Sequence, residues 1–254
     1  MPSEWRRLQG QSLFRPCGLL GSHGKDAFVT AAFSQETFDF LGALAANNTR
    51  DWFEGNRDAY ERGWKRPALD FIADVSGEMS RLDPPLRAEP RLNGSLRRIN
   101  RDTRFSSDKT PYSPRLHLVF WAGNHPNRSP GLHVVLQPDG VGFGAGMWGL
   151  DKARLDRFRA RVLDNGDRAA LLAALFRARA RGCSMDPPEL ARLPRGFADV
   201  PPEADALLRH KSVVSRTRDT MGTDALTGAG AAEWVLALAR DMLPLIGWLK
   251  PLAV

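Results

Sequence analysis

The hydrophobic period of this chain changes twice, and that double switch constrains the fold more than any single motif. Before Arg87 apolar residues recur at the three-to-four spacing of an amphipathic helix. From Arg87 to Gly149 they come in short runs suited to strands, and after Gly149 helical spacing returns. Helices, then strands, then helices predict an α+β domain: N-terminal helices, a central mainly antiparallel sheet and C-terminal helices, since a parallel sheet needs the two kinds of element to alternate. No repeat or low-complexity linker divides the chain. Residues 33–254 are therefore expected to form a single α+β domain, and residues 1–32, which lack helical spacing, a loosely ordered N-terminal extension.

Local signals place the elements. Ser34 suits a helix N-cap, Phe33 and Phe38 are spaced as a hydrophobic staple, and Phe38, Leu41, Leu44 and Ala45 share a face. Asn47 and Asn48 stop that helix, and Asn48 can cap the next, which carries Trp52, Phe53 and Tyr60. Pro67 opens a third helix with Ile72, Val75, Met79 and Leu82 at helical spacing. Strand-like runs cover 95–100, 116–122, 132–137 and 141–147, and Pro138-Asp139-Gly140 between the last two predicts an antiparallel hairpin. Asp151 and Asp167 are placed to cap two further helices. A short helix over 203–208, a strand over 212–217 and a last helix from Ala229 complete the reading.

Composition excludes several function classes. With 43% hydrophobic residues and seven Trp the chain can bury a core, against disorder or coiled coil. Two cysteines, Cys17 and Cys183, lack C-x-x-C spacing, which argues against a disulfide framework, a structural zinc site or a thiol nucleophile and for a reducing compartment. Arg6 and Arg7 are not followed by a continuous apolar run, and no window reaches the roughly 20 apolar residues of a membrane span, so a cytoplasmic protein without membrane association is expected. Thirty-six Lys and Arg against 29 Asp and Glu give a formal charge of +7, which raises nucleic acid as a partner. The stretch 151–181 holds nine basic residues, but they recur at different phases around the helix, as on a solvated surface.

Positive charge is most concentrated elsewhere. Between Arg97 and Arg115 stand Arg97, Arg98, Arg101, Arg104, Lys109 and Arg115 against Asp102 and Asp108, interleaved with Thr103, Ser106, Ser107, Thr110 and Tyr112. Guanidinium groups fork carboxylates and phosphates, so the segment is a candidate site for a small anionic ligand. In that reading Arg101 and Arg104 clamp the anion, Asp102 and Asp108 hold the two arginines, and Lys109 or Tyr112 donates a proton if the protein is an enzyme. Two alternatives stay open: an ion-pair network that merely pins a loop, and a non-catalytic basic module for nucleic acid or an acidic protein.

Residues 141–147 add a floor. Gly144 to Gly149 match G-x-G-x-x-G, but a hairpin arm is not the parallel unit that a dinucleotide site needs. Alternation instead sets Gly142, Gly144 and Gly146 on one strand face, bare enough for close packing or for a ligand, and Gly144 and Gly146 are taken as ligand-binding candidates. His117 and His133 fall on neighbouring strands without metal-ligand spacing and are read as sheet histidines rather than a metal site. No cofactor and no oligomeric state is indicated.

The motif R-D-T-R-F-S-x-D-K-T-P-Y (Arg101–Tyr112), with N-N-x-R-x-W-F at Asn47–Phe53 before it and G-x-G-x-G-M-W at Gly142–Trp148 after it, resembles the bacterial and fungal family called domain of unknown function 2461. Pro194–Phe197 and Leu207–Ser212 also resemble that family, so the likeness spans roughly residues 33–250. It implies no activity and transfers no catalytic residue. Relatives resemble P-Y-K-T followed by His or Asn, whereas this chain has Ser113-Pro114-Arg115, so a His there takes no part in its chemistry.

Overall fold

A computed structural model describes residues 33–253; the extension expected over 1–32, Cys17 included, lies outside the described residues. The leading helices are α1 (Gln35–Ala46), α2 (Arg50–Gly55), the single turn α3 (Arg57–Ala59) and α4 (Arg66–Ser80). Phe33 and Phe38 are both buried, and Phe33 meets Phe71 of α4 with ring centroids 5.3 Å apart. The buried face of α1 takes in Phe40 rather than Ala45, which is exposed.

Two expectations are corrected here. Thr49, not Asn48, caps α2: its Oγ1 accepts from Trp52 N at 3.3 Å. Pro67 does not open a separate helix, because α3 runs into α4 through a π-helical stretch, Tyr60–Lys65. Proline has no N–H to donate and its ring crowds the carbonyl four residues back; wider turns before it relieve both defects without breaking the rod.

The sheet comprises β1 (Leu116–Trp121), β2 (Gly131–Gln137), β3 (Gly140–Met147), β4 (Cys183–Met185) and β5 (Val213–Thr217) in the order β1-β2-β3-β5-β4, every pair antiparallel. The β2–β3 hairpin turns on Pro138-Asp139, as its residues predict. Since β3 lies antiparallel between β2 and β5, its glycines form no dinucleotide-binding turn. The run 95–100 is not a regular strand. It touches the outer edge of β1 at intervals, Arg97 N donating to His117 O (2.9 Å) and Val119 N to Ser95 O (2.8 Å), and so covers backbone groups that a bare edge would present.

The remaining helices are α5 (Lys152–Leu163), α6 (Asn165–Ala180), α7 (Pro202–Leu208), α8 (Asp224–Thr227) and α9 (Ala231–Leu249). Asp151 caps α5 as expected, but α6 is capped by Asp164, whose Oδ1 accepts from Asp167 N at 2.8 Å. Asn165 and Gly166 thus fall inside the first turn of α6 rather than in a connecting loop.

Register explains the layering. Leu118, Val134 and Phe143 pair across β1–β3 and point to one face, with Leu116, Phe120, Leu132, Leu136 and Ala145. Against that face packs α9, with eleven buried residues of nineteen, and Trp234 sets its ring edge-on to Phe143 at 5.6 Å. Among the described residues no helix is long and apolar enough to cross a membrane. The other face carries His117, His133, the three glycines and Arg216, and over it lies a cavity. The result is an α+β domain whose core occupies one side of an antiparallel sheet and whose other side is partly open.

Candidate functional site

The middle of the basic segment closes on itself. Asn100 and Tyr112 bridge at its neck, with Arg101 N donating to Pro111 O at 2.9 Å. Inside, Arg101 Nη1 lies 2.5 Å from Asp108 Oδ2 and also bonds Thr110 Oγ1. Asp108 Oδ1 accepts from the Thr110 amide at 2.9 Å; that bond first, then Arg101, pulls its carboxyl down to about 2. Arg104 forks Asp102 through Nε and Nη2 at 2.9 and 2.7 Å, which lowers the Asp102 pKa. Lys109 Nζ donates to Thr103 O at 2.9 Å.

Tyr112 anchors the loop. Its ring is buried and stacks on Phe53 at 4.2 Å, while Asn48 bonds both its backbone groups: Nδ2 donates to Tyr112 O (2.8 Å) and Tyr112 N donates to Oδ1 (3.1 Å). The two motifs Asn47–Phe53 and Arg101–Tyr112 are therefore one physical unit. Arg101, Lys109 and Tyr112 line a recess of about 500 Å3 with Asn48, Arg50 and Thr103. Arg104, Asp102 and Asp108 are outside that lining, and Gly144 and Gly146 line a different cavity.

That second cavity, about 590 Å3, lies on the open face of the sheet. Its floor includes Gly142, Gly144 and Gly146, and the reason for glycine there is visible. A Cβ on Gly144 would come within 2.6 Å of Arg216 Cβ and Ser215 O, and one on Gly146, at φ +154°, within 2.1 Å of Val213 O. At Gly144 and Gly146 the space a side chain would take is already filled by the backbone of β5 and the base of Arg216, so only glycine lets β3 and β5 approach this closely. Of the two alternatives the sequence leaves open, close packing is the one these distances show at Gly144 and Gly146.

The walls are cationic. Arg97, Arg98 and Arg115 come from the two ends of the basic segment, and Arg216 and Arg218 from β5 and its continuation. Arg216 and Arg218 share Asp186, at 3.0 and 2.5 Å. Arg97 donates to neutral acceptors, Pro126 O (3.1 Å) and Asn127 Oδ1, and burial lowers its pKa. Arg98 and Arg115, both exposed, form no ion pair among the described residues. Asp219 is the lining carboxylate, so positive charge exceeds negative at the rim.

Between floor and walls sit two histidines. His117 Nε2 and His133 Nδ1 are 2.9 Å apart, so one ring donates to the other. Burial, reinforced by His133, Arg97 and Arg115, pushes the His117 pKa down to about 3; burial and Arg97 push His133 to about 4. Both are neutral at physiological pH. Among the described residues no group of three or more His, Cys, Asp or Glu is arranged to hold a metal ion. Cys183 is buried, and burial raises its thiol to about 11, which leaves it a poor nucleophile.

Arg216, Arg218 and Trp148 were not singled out as site residues by the sequence, although a signal existed for one of them. In the run 212–217 alternation puts Arg216 opposite Val213 and Ser215, hence on the glycine side once β5 is paired with β3.

Comparison with known proteins gives a family and no activity. The model of DUF2461, described as a conserved hypothetical protein family, matches residues 36–248. No curated protein and no solved structure matches. Because the matched span runs from the first turn of α1 into the last turn of α9, and contains the Asn48–Tyr112 unit and both recesses, the chain belongs to the DUF2461 family.

Proposed function

We propose that the protein binds a small anionic ligand, a carboxylate or a phosphate, in the cavity on the open face of the sheet. One observation carries the reading: five arginines line a concave, glycine-floored space, and among the described residues Arg97, Arg98 and Arg115 form no salt bridge. A guanidinium outside any salt bridge at the mouth of a concave site is available to fork an oxyanion. The His117–His133 pair lines the same space and supplies neutral donors and acceptors to the uncharged part of the ligand.

The recess at Arg101, Lys109 and Tyr112 is the competing location. It has less to offer an anion, since Arg101 is engaged by Asp108 and Thr110 and Lys109 by Thr103 O. Here the closed loop serves to present its two ends, Arg97–Arg98 and Ser113–Arg115, to the cavity. Binding of nucleic acid by the α5–α6 surface has weaker support too: Arg154 pairs with Asp151, Arg161 with Asp167, and Arg177 and Arg181 with Asp241.

Thermal-shift and calorimetric titration with inorganic phosphate and small carboxylates decides among these. Expected are stabilisation of the parent protein, a loss of affinity of about ten-fold in Arg98→Ala and Arg115→Ala, and no change in Arg104→Ala. Loss in Arg104→Ala alone would move the site to the loop. No stabilisation by any anion at low salt would remove the reading.

A further inference from the structure

Resting on that anion site, we infer that its ligand also carries a planar ring, which stacks on Trp148: the class is a ring bearing an anionic group, as in a nucleoside monophosphate or an aromatic carboxylate. Trp148 lines the cavity and is 71% exposed. The other described tryptophans bury their rings or pack against the core, with Trp64 and Trp121 at 0% and 1% exposure. An indole is large and mostly apolar, so leaving it in water forgoes stabilisation that its siblings collect.

Its backbone is nevertheless fixed. Met147 before it is buried and pairs with Val213; Gly149 after it, at φ +62°, donates its N–H to Ser212 Oγ at 3.1 Å. A ring that is exposed on rigid backbone, beside a concave space, is arranged to be covered by something else. Phe105 is the contrast: it is 95% exposed but sits at the tip of the basic loop and lines no cavity described above.

The rest of the cavity suits such a ligand. Gly142, Gly144 and Gly146 line the same cavity and add no side chains of their own to it, which leaves its width to the ligand. Arginines at the walls would take the anionic group while Trp148 takes the ring, so recognition of the two parts is divided between different residues. A volume of about 590 Å3 is in the range of small-molecule sites.

Calorimetric titration of the full chain with adenosine monophosphate, ribose 5-phosphate, benzoate and acetate tests the inference. Adenosine monophosphate is expected to bind about ten-fold tighter than ribose 5-phosphate. Trp148→Ala should erase that advantage and Trp148→Phe keep most of it. Benzoate exceeding acetate in a Trp148-dependent way would support the same chemistry from the carboxylate side, and each pair of probes separates the two sources. If ringed ligands bind no better than ringless ones, or if Trp148→Ala leaves the advantage intact, the inference is overturned while the anion site stands. Failure of ribose 5-phosphate and acetate along with the ringed probes would overturn both.

Discussion

Asn48 shows most plainly what one residue does in this fold. Its amide bonds the carbonyl and the N–H of Tyr112, sixty-four positions away, and so fixes the neck of the basic loop against α2. Replacement by Ala leaves two half-buried backbone groups short of partners and is expected to lower stability by about 1–3 kcal/mol in urea unfolding. An unchanged midpoint would show the contact to be dispensable. Asp102 makes the opposite prediction: it and Arg104 are largely exposed, so Asp102→Asn should leave the melting temperature close to that of the parent. A sharp fall would make the loop a folding staple. Sequence reasoning assigned Asn48 to a helix cap because a cap is a local pattern, three residues long, whereas its true partner is distant. The pairing of Asp102 and Asp108 with Arg104 and Arg101 was legible for the same reason, since those partners are near in the chain.

At the scale of elements, β3 and β5 lie so close at Gly144 and Gly146 that a side chain there has no room. Gly144→Ala places a Cβ against backbone and the base of Arg216, where nothing can yield, and is expected to cost stability heavily or prevent folding. Gly142→Ala meets only Thr217 Oγ1, at 3.3 Å, and should fold while narrowing the floor. Equal tolerance of both by thermal denaturation would contradict this reading of the strand contact.

The histidine pair joins β1 to β2 and gives a pH dependence with a definite sign. Unfolded histidines take up protons near pH 6.5, while burial holds folded His117 and His133 neutral down to about 3 and 4. Stability is therefore undiminished above pH 6.5 and falls as the pH drops from there, with His210, also lowered by burial, adding in the same direction. His117→Gln should flatten that fall between pH 6.5 and 4; a mutant as pH-sensitive as the parent would contradict it. The hairpin was legible because Pro138-Asp139 punctuates two alternating runs. By contrast β4 was not, for three residues are too few to show a period, and 95–100 looked like a strand because alternation does not reveal that pairing is intermittent.

Across the whole molecule, the two changes of hydrophobic period translate into one sheet with its helices on one side. Alternation could predict two faces for each strand, yet not which face α9 would cover, because β1 is apolar on both. Nor could a formal charge of +7 say where the excess sits. In the folded chain Arg154, Arg161 and Arg177 of α5 and α6 pair with nearby carboxylates, while the arginines at the ends of the basic segment meet β5 around a concavity. Residues remote in sequence, Arg98, Arg115 and Arg216, line one cavity only because the loop closes and β5 inserts beside β3.

The central claim, that this concavity is where anions bind, is tested most directly by amide and arginine side-chain chemical-shift mapping during titration with inorganic phosphate at low salt. The account predicts shifts concentrated at Gly142–Gly146, Arg98, Arg115 and Arg216, saturating together and weakening as ionic strength rises. Shifts confined to residues 101–110, or none at all, would contradict it.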